Sequence, residues 1–555
     1  LEPLFFLVLA VASTWPLATH LVGHLPLGSE EAATVPLFNL WTMWWNSDRA
    51  AAGFADYWQA PIFYPARDAL AFSEPLSPSV ILAPLFWLGL SPELIYNLAL
   101  LAILAGNGWA ARTLLRRYRL HPLIALLGGA MTVLSPLLLS WLGVLQLVVV
   151  FPVILTVLAV DRLRRRATLG RGLRLGAALA LTALCCSYYG LFLLLPLLVA
   201  TPFLFGRRLF RARLPAPLAA GVVFCGLLVT PQLLVQQRAI GDAMNYDPRT
   251  LASLSAVAAD YLVPPRPSPL GYPSLAPAGH EALFKLGPGL VVAGLGAIGA
   301  LYGLCVRRRR PWVFFWLLFG GCAFALSLGP LLNVGGVRPY LFLLDHLPGF
   351  AQARNIMRFA VFVHLALMVL ACIGLQGVVV WLKFIIRRQR WRIRPGLVLL
   401  TLGLAAALEI PPAPQRLFPL PLGGAEPAWV SWLRQQPDPH LPIVCLPFAF
   451  KPDVASYQQE TLWMFWQTMH RRPLLNGYSA HFPEDFKALK WPLATFPSPV
   501  AFALLQSRGV RYCVVQIPPG GTSSIISAAS ITTRLIRVFG DTRAGVEIFL
   551  LEPIP

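Results

Sequence analysis

The sequence predicts a polytopic α-helical membrane protein of about eleven transmembrane helices, N-terminus inside and C-terminus outside, with a C-terminal extracytoplasmic α/β domain. Three observations predict it. Apolar runs long enough to cross a bilayer recur along the first three quarters of the 555 residues. Hydrophobic residues make up 57% of the chain and charged ones 12%, about half the share a soluble domain carries, and the mean hydropathy is +0.65. Past residue 410 the pattern changes to short strand-like runs alternating with helical ones. These features rule out a soluble enzyme, a disordered chain and a fibrous protein.

The net charge of +21 reads as topology rather than as a nucleic-acid footprint. Forty of the 45 basic residues are Arg, a bias that fits a GC-rich bacterial genome. They cluster at Arg112/Arg116/Arg117/Arg119, Arg162/Arg164/Arg165/Arg166/Arg171/Arg174, Arg207/Arg208/Arg211/Arg213, Arg307 to Arg310, and Lys383/Arg387/Arg388/Arg390/Arg392/Arg394. Only one acid, Asp161, accompanies them. Placing all five clusters in the cytoplasm sets the parity of each crossing. The expected spans are 4–21, 93–112, 122–138, 142–160, 173–188, 190–205, 216–235, 287–304, 311–329, 359–382 and 396–410. Residues 4–21 could pass for a signal peptide, but the many spans that follow favour a retained first helix. Because the chain opens at Leu1 without a Met, a short N-terminal piece is expected to be missing.

Residues 77–90 are apolar but short and carry Pro78 and Pro84, and a crossing there would invert the basic-inside pattern. They are expected to form a re-entrant or interfacial piece. Before them, Leu37, Leu40, Trp41, Trp44 and Trp45 recur at helical spacing, as in a helix at the membrane interface. Outside the membrane, the large stretches are loop one (22–92), 236–286, 330–358 and the tail. Within 1–410 as the transmembrane domain, 411–425 as a Pro/Gly linker and 426–555 as the α/β domain, the tail has strands at Ile443–Leu446, Val510–Val515 and Val546–Leu551. Helical patterns run over 454–469, 500–508 and 523–536. Six of the eight cysteines lie in apolar runs as small core residues, while Cys445 and Cys513 are either a disulfide or two buried thiols.

No phosphate-cradling GxxxxGK[ST], HExxH, GxSxG or CxxC motif occurs, and a lone His such as His364 reads as a core residue. What remains is acids and arginines beside the membrane. Loop one holds Glu30, Glu31, Asp48, Asp56, Asp68 and Glu74. Group transfer needs a carboxylate to take the nucleophile's proton or to hold a metal. Glu30 and Glu31 rank first because they follow the first helix closely, and Glu74 second because it opens the re-entrant piece. Singly, each of these acids also reads as a merely solvated loop residue. Arg354 and Arg358 are four apart at the outer start of the tenth span, on one helical face. Two guanidinium forks there would clamp a phosphate, or else snorkel to lipid headgroups.

The chain resembles the bacterial branch of the GT-C glycosyltransferase superfamily along nearly its whole length. The motifs that carry the likeness are Pro36-Leu-Phe-Asn39-Leu-Trp41, Ile62-Phe-Tyr64-Pro65, Ala71-Phe-Ser-Glu74 and Tyr96-Asn97. Ser135-Pro136, Leu142-Gly143 with Gln146, Ser327-Leu-Gly-Pro330, and Pro348-Gly-Phe350 with Arg354 and Arg358-Phe359 follow in order. The tail adds Arg472-Pro-Leu-Leu-Asn-Gly-Tyr-Ser479 and Phe482-Pro483. This resemblance implies a multi-pass protein of the bacterial cytoplasmic (inner) membrane. Its implied activity is transfer of a sugar from a polyprenyl-phosphate donor to an acceptor on the outer face. A first-loop acid would act as base, Arg354 and Arg358 would hold the donor phosphate, and Asn39, Trp41, Tyr64 and Gln146 would line the loop-one side and the cavity. No ligand set is evident for a divalent cation (Mg or Mn), and its participation stays open.

The chain also departs from that pattern. Similar sequences usually carry Asp immediately before Pro36, where this chain has Val35. Trp141 and Val144 stand where His is frequent, and Ile356 where Pro is usual. Either Glu30 or Glu31 replaces the expected base, or the scaffold is a catalytically silent subunit binding lipid or partner proteins in a membrane complex. A lipid-linked-sugar transporter is the third reading. It is disfavoured because few acids fall in spans, with only Glu93 and Glu409 near helix ends.

Overall fold

A helix occupies each of the eleven expected segments, and seven helices among the described residues are long and apolar enough to cross a membrane. These are Pro92–Arg117, Pro122–Ser140, Leu145–Arg165, Ser187–Phe210, Pro215–Ile240, Arg310–Ser327 and Ile356–Ile386. The chain is a multi-pass membrane protein. The other four, Glu2–Ser13, Leu169–Cys185, Leu290–Cys305 and Pro395–Leu408, have 12 to 17 residues. Those fall short of the roughly 20 residues a perpendicular crossing takes. The computed structural model describes residues 2–269, 275–277, 279–389, 394–517 and 535–552.

Small residues let the helices approach to backbone contact. A Cβ at Gly299 would lie 1.8 Å from the Leu370 carbonyl oxygen, and one at Gly374 would lie 2.1 Å from that of Leu295. Helices Leu290–Cys305 and Ile356–Ile386 therefore touch through their backbones. Asn107 bridges the irregular stretch at 149–150 that interrupts helix Leu145–Arg165. Its Nδ2 donates to the Val148 carbonyl at 2.7 Å, and its Oδ1 accepts from the N–H groups of Val150 and Phe151. Non-helical backbone inside a bundle needs such partners. At the basic end, fully buried Asp161 binds Arg117, Arg164 and Arg165 at 2.8–3.0 Å, tying helix Leu145–Arg165 to helix Pro92–Arg117.

Loop one and the tail share one hydrophobic core, which also takes in buried residues of helices Glu2–Ser13 and Pro92–Arg117, while much of the rest of the bundle forms a second core. Strand β1, His24–Pro26, pairs antiparallel with β2, Leu417–Pro419, so the Pro/Gly segment 411–425 is stitched to loop one. Helix Thr34–Ala51 packs on helix Gln458–His470 of the tail. This corrects the expectation of an interfacial tryptophan helix. Trp41, Trp44 and Trp45 are buried in protein, and Trp41 Nε1 donates to Gln467 Oε1 at 2.9 Å. Helical spacing cannot distinguish a lipid-facing stripe from one covered by a distant domain. Segment 77–90 forms only a 3-10 turn, Ser77–Leu82, and a short helix, Ala83–Trp87. Asn46 Nδ2 donates to the carbonyls of Pro75 and Leu76, while Ile81, Trp87 and Leu88 are exposed.

The tail carries a sheet of order β3-β4-β6-β5: Ile443–Leu446, Tyr512–Gln516, Val546–Leu551 and Leu535–Asp541. β3 and β4 are parallel and the other two pairings antiparallel. The expected helix over 523–536 lies outside the described residues except for its last two, which belong to β5. Cys445 and Cys513 are free buried thiols. Cys445 pairs with Val514 and Cys513 with Val444, so the two side chains point to opposite faces and cannot bond.

Candidate active site

Glu30 follows a tight turn that only certain residues allow. Gly28 has φ +59°, and a Cβ there would sit 2.5 Å from the Ser140 carbonyl oxygen. Ser29 N–H and Oγ both donate to that same oxygen, at 2.7 and 2.8 Å. Gly143 is required from the other side, since its Cβ would lie 2.7 Å from Glu30 Cγ. Loop one is thereby pinned to the end of helix Pro122–Ser140, with Glu30 half-buried and Glu31 exposed.

Glu74 enters from further along loop one. Its Oε1 accepts from the Ser187 N–H at 2.7 Å, where extended backbone at Cys186 separates helix Leu169–Cys185 from Ser187–Phe210. Its Oε2 is buried without a hydrogen-bond partner. The charge of Arg358 acts on both acids. The guanidinium lies 4.3 Å from the Tyr188 ring centroid, its Nε is buried and unpartnered, and it belongs to no ion pair among the described residues. Burial raises the pKa of Glu30, the Arg358 charge opposes that rise, and neighbouring Glu31 adds to it. Glu74 is raised by burial in the same way, against Arg358 and the Ser187 hydrogen bond.

Arg354 and Arg358 do not share a helical face. Residues 353–355 are irregular and Ile356–Phe359 is a 3-10 turn, so Arg354 instead lies 5.9 Å from the Tyr246 ring. Both charges nevertheless reach the phenol of Tyr478, as does that of Glu30. The structure thus brings together Glu30, Glu74, Arg354 and Arg358. Asn39 Nδ2 donates to Gln146 Oε1 at 3.0 Å, joining loop one to the bundle. Trp41 sits in the seam with the tail, where the Tyr64 backbone N–H also donates to the Leu474 carbonyl while the Tyr64 side chain is exposed.

Among the described residues no group of three or more His, Cys, Asp or Glu is placed to hold a metal, and the Arg358 charge acts on both acids. Val35 packs on the hydrophobic core of the bundle, and Trp141, Val144 and Ile356 are buried. Ser187, Tyr188 and Tyr246 were not singled out by the sequence. The polar Ser187-Tyr-Tyr-Gly190 interruption of an apolar stretch is the signal that marks the first two.

No protein-family model and no curated protein matches the chain. Among solved structures, the arabinofuranosyltransferase AftD from Mycobacteria matches over 100% of this chain, with a TM-score of 0.56 and 15% identity. The chain spans only 40% of AftD's length. ArnT from Cupriavidus metallidurans, in a crystal structure bound to undecaprenyl phosphate, matches over 99% of this chain and 97% of its own. Its TM-score is 0.50 at 15% identity. The fold is GT-C-like. At this identity the fold is what is shared.

Proposed function

We propose that this chain is an integral-membrane glycosyltransferase that moves a sugar from a polyprenyl-phosphate donor to an acceptor hydroxyl. We place the reaction on the extracytoplasmic face of a bacterial cytoplasmic membrane, with eleven crossings and the C-terminal domain outside. The observation that carries the reading is the pair of buried, unpartnered atoms, Glu74 Oε2 and Arg358 Nε, beside Glu30. Buried polar atoms without partners are rare in folded proteins and ask for a ligand that completes them.

In this reading Arg354 and Arg358 hold the donor phosphate from two sides. Glu30 takes the proton of the acceptor hydroxyl as its oxygen bonds to the anomeric carbon. The bond from that carbon to the phosphate oxygen breaks, and polyprenyl phosphate leaves with its charge balanced by the arginines. A base whose pKa is raised by burial is better matched to neutral pH than a solvated carboxylate. Glu74, anchored through Oε1, offers Oε2 to a hydroxyl of the sugar.

The test is release of polyprenyl phosphate from labelled polyprenyl-phosphate sugars by membranes carrying the protein. Glu30→Gln is expected to lower the rate by about 10²–10⁴, and exposed Glu31→Gln to leave it unchanged. An undiminished rate in Glu30→Gln removes Glu30 as the base. Val35, packed on the bundle where similar sequences carry Asp, favours a second reading, a silent subunit of a membrane complex. No release by the wild type from any donor is its expected result.

A further inference from the structure

Tyr478 belongs to the tail domain, yet the charges of Arg354, Arg358 and Glu30 act on its phenol. Its ring is walled by Phe38 at 5.6 Å, Tyr457 at 5.6 Å and Phe482 at 6.1 Å between centroids. Phe38 comes from loop one, so both halves of the seam hold the ring. The hydroxyl makes no hydrogen bond to any described residue, although Arg354, Arg358 and Glu30 all act on it electrostatically.

The backbone beneath Tyr478 is unusually well held. Asn476 Nδ2 donates to Glu460 Oε2 and to the Cys445 carbonyl, each at 2.8 Å, and its Oδ1 accepts from the Cys445 N–H at 2.7 Å. The Asn476 carbonyl accepts from the Phe63 N–H at 3.0 Å. Any side chain at Gly477 would meet the Phe63 ring, its Cβ lying 2.7 Å away. Lys490 Nζ donates to the Tyr457 hydroxyl at 2.6 Å, which secures the ring behind Tyr478. A phenol fixed this firmly, with its hydroxyl unpartnered, is preorganised to donate to an anion.

We propose that Tyr478 is a third phosphate-contacting residue, whose hydroxyl donates a hydrogen bond to the phosphate monoester of the lipid carrier held by Arg354 and Arg358. This rests on the donor-site reading above. It gives the tail domain a part in binding the donor and makes the site incomplete unless the domain is seated on loop one. Burial raises the phenol to about 12, so the hydroxyl keeps its proton to donate.

The experiment uses the full-length protein in detergent and two probes, undecaprenyl phosphate and undecaprenol, which lacks the phosphate. Tyr478→Phe keeps the ring and is expected to weaken undecaprenyl phosphate binding by about tenfold to a hundredfold, the worth of one charge-assisted hydrogen bond, with undecaprenol binding unchanged. Equal weakening of both lipids assigns Tyr478 a purely structural role and overturns the proposal. So does wild-type phosphate binding in Tyr478→Phe while an Arg354→Ala/Arg358→Ala variant has lost it. If that arginine variant binds undecaprenyl phosphate like the wild type, the donor-site reading itself fails, and the proposal with it.

Discussion

The two hydrophobic cores of this molecule are built by different rules. In the bundle, glycines such as Gly299 and Gly374 remove side chains so that backbones touch, and few polar groups are spent on the contact. In the core shared by loop one and the tail, aromatic rings fill the volume and buried polar side chains tie backbone carbonyls together. Arg472 is fully buried and donates to the carbonyls of Leu433, Gln436, Pro437 and Asp438 at 2.6–3.0 Å. Lipid offers no hydrophobic drive for helix association, whereas water outside rewards aromatic burial. Glu30, Glu74 and Arg358 lie where these two kinds of packing meet.

That contrast is sharpest at Arg472. Arg472→Met strands several tail carbonyls at once and is expected to destabilise the tail domain by about 3–6 kcal/mol, two or more charge-assisted hydrogen bonds' worth. Thermal unfolding in detergent measures it, and a loss under about 1 kcal/mol would erase the difference between the cores. Next comes Glu460, whose carboxyl burial raises to about 7 from 4.5. Its folded pKa exceeds the unfolded one, so its contribution is full below pH 4.5 and is lost as pH rises through 7. The expected decline is about 3 kcal/mol, and Glu460→Gln should flatten the pH dependence of unfolding. Smallest is Gly374→Ala, which forces a methyl against the Leu295 carbonyl and should cost about 1–3 kcal/mol. A neutral result there would show that the helices have room to separate.

The helices of the bundle were legible because apolar length and basic flanks follow from the bilayer itself. Strands β3 and β6 were legible as well, down to their ends, because both are short runs of β-branched and aromatic residues. The partner of the tryptophan helix was not, because helix Gln458–His470 lies more than 400 residues away in sequence. For the same reason the sequence did not show that Trp41 packs in the seam with the tail. Glu74 and Arg358 were singled out by charge near the membrane, yet the hydrogen bond that anchors Glu74 depends on the extended backbone at Cys186, which the expected spans did not place. The shared helical face expected for Arg354 and Arg358 failed on irregular backbone before Ile356, and the convergence on Tyr478 came from the fold instead.

The most direct test is native mass spectrometry of the protein extracted from its own membranes, as wild type and as Arg354→Ala/Arg358→Ala. The account predicts a bound lipid of polyprenyl-phosphate mass on the wild type and its absence from the variant. Lipid retained equally by both, or no lipid on either with extra protein chains in constant ratio, would contradict a donor-phosphate site at Arg354 and Arg358.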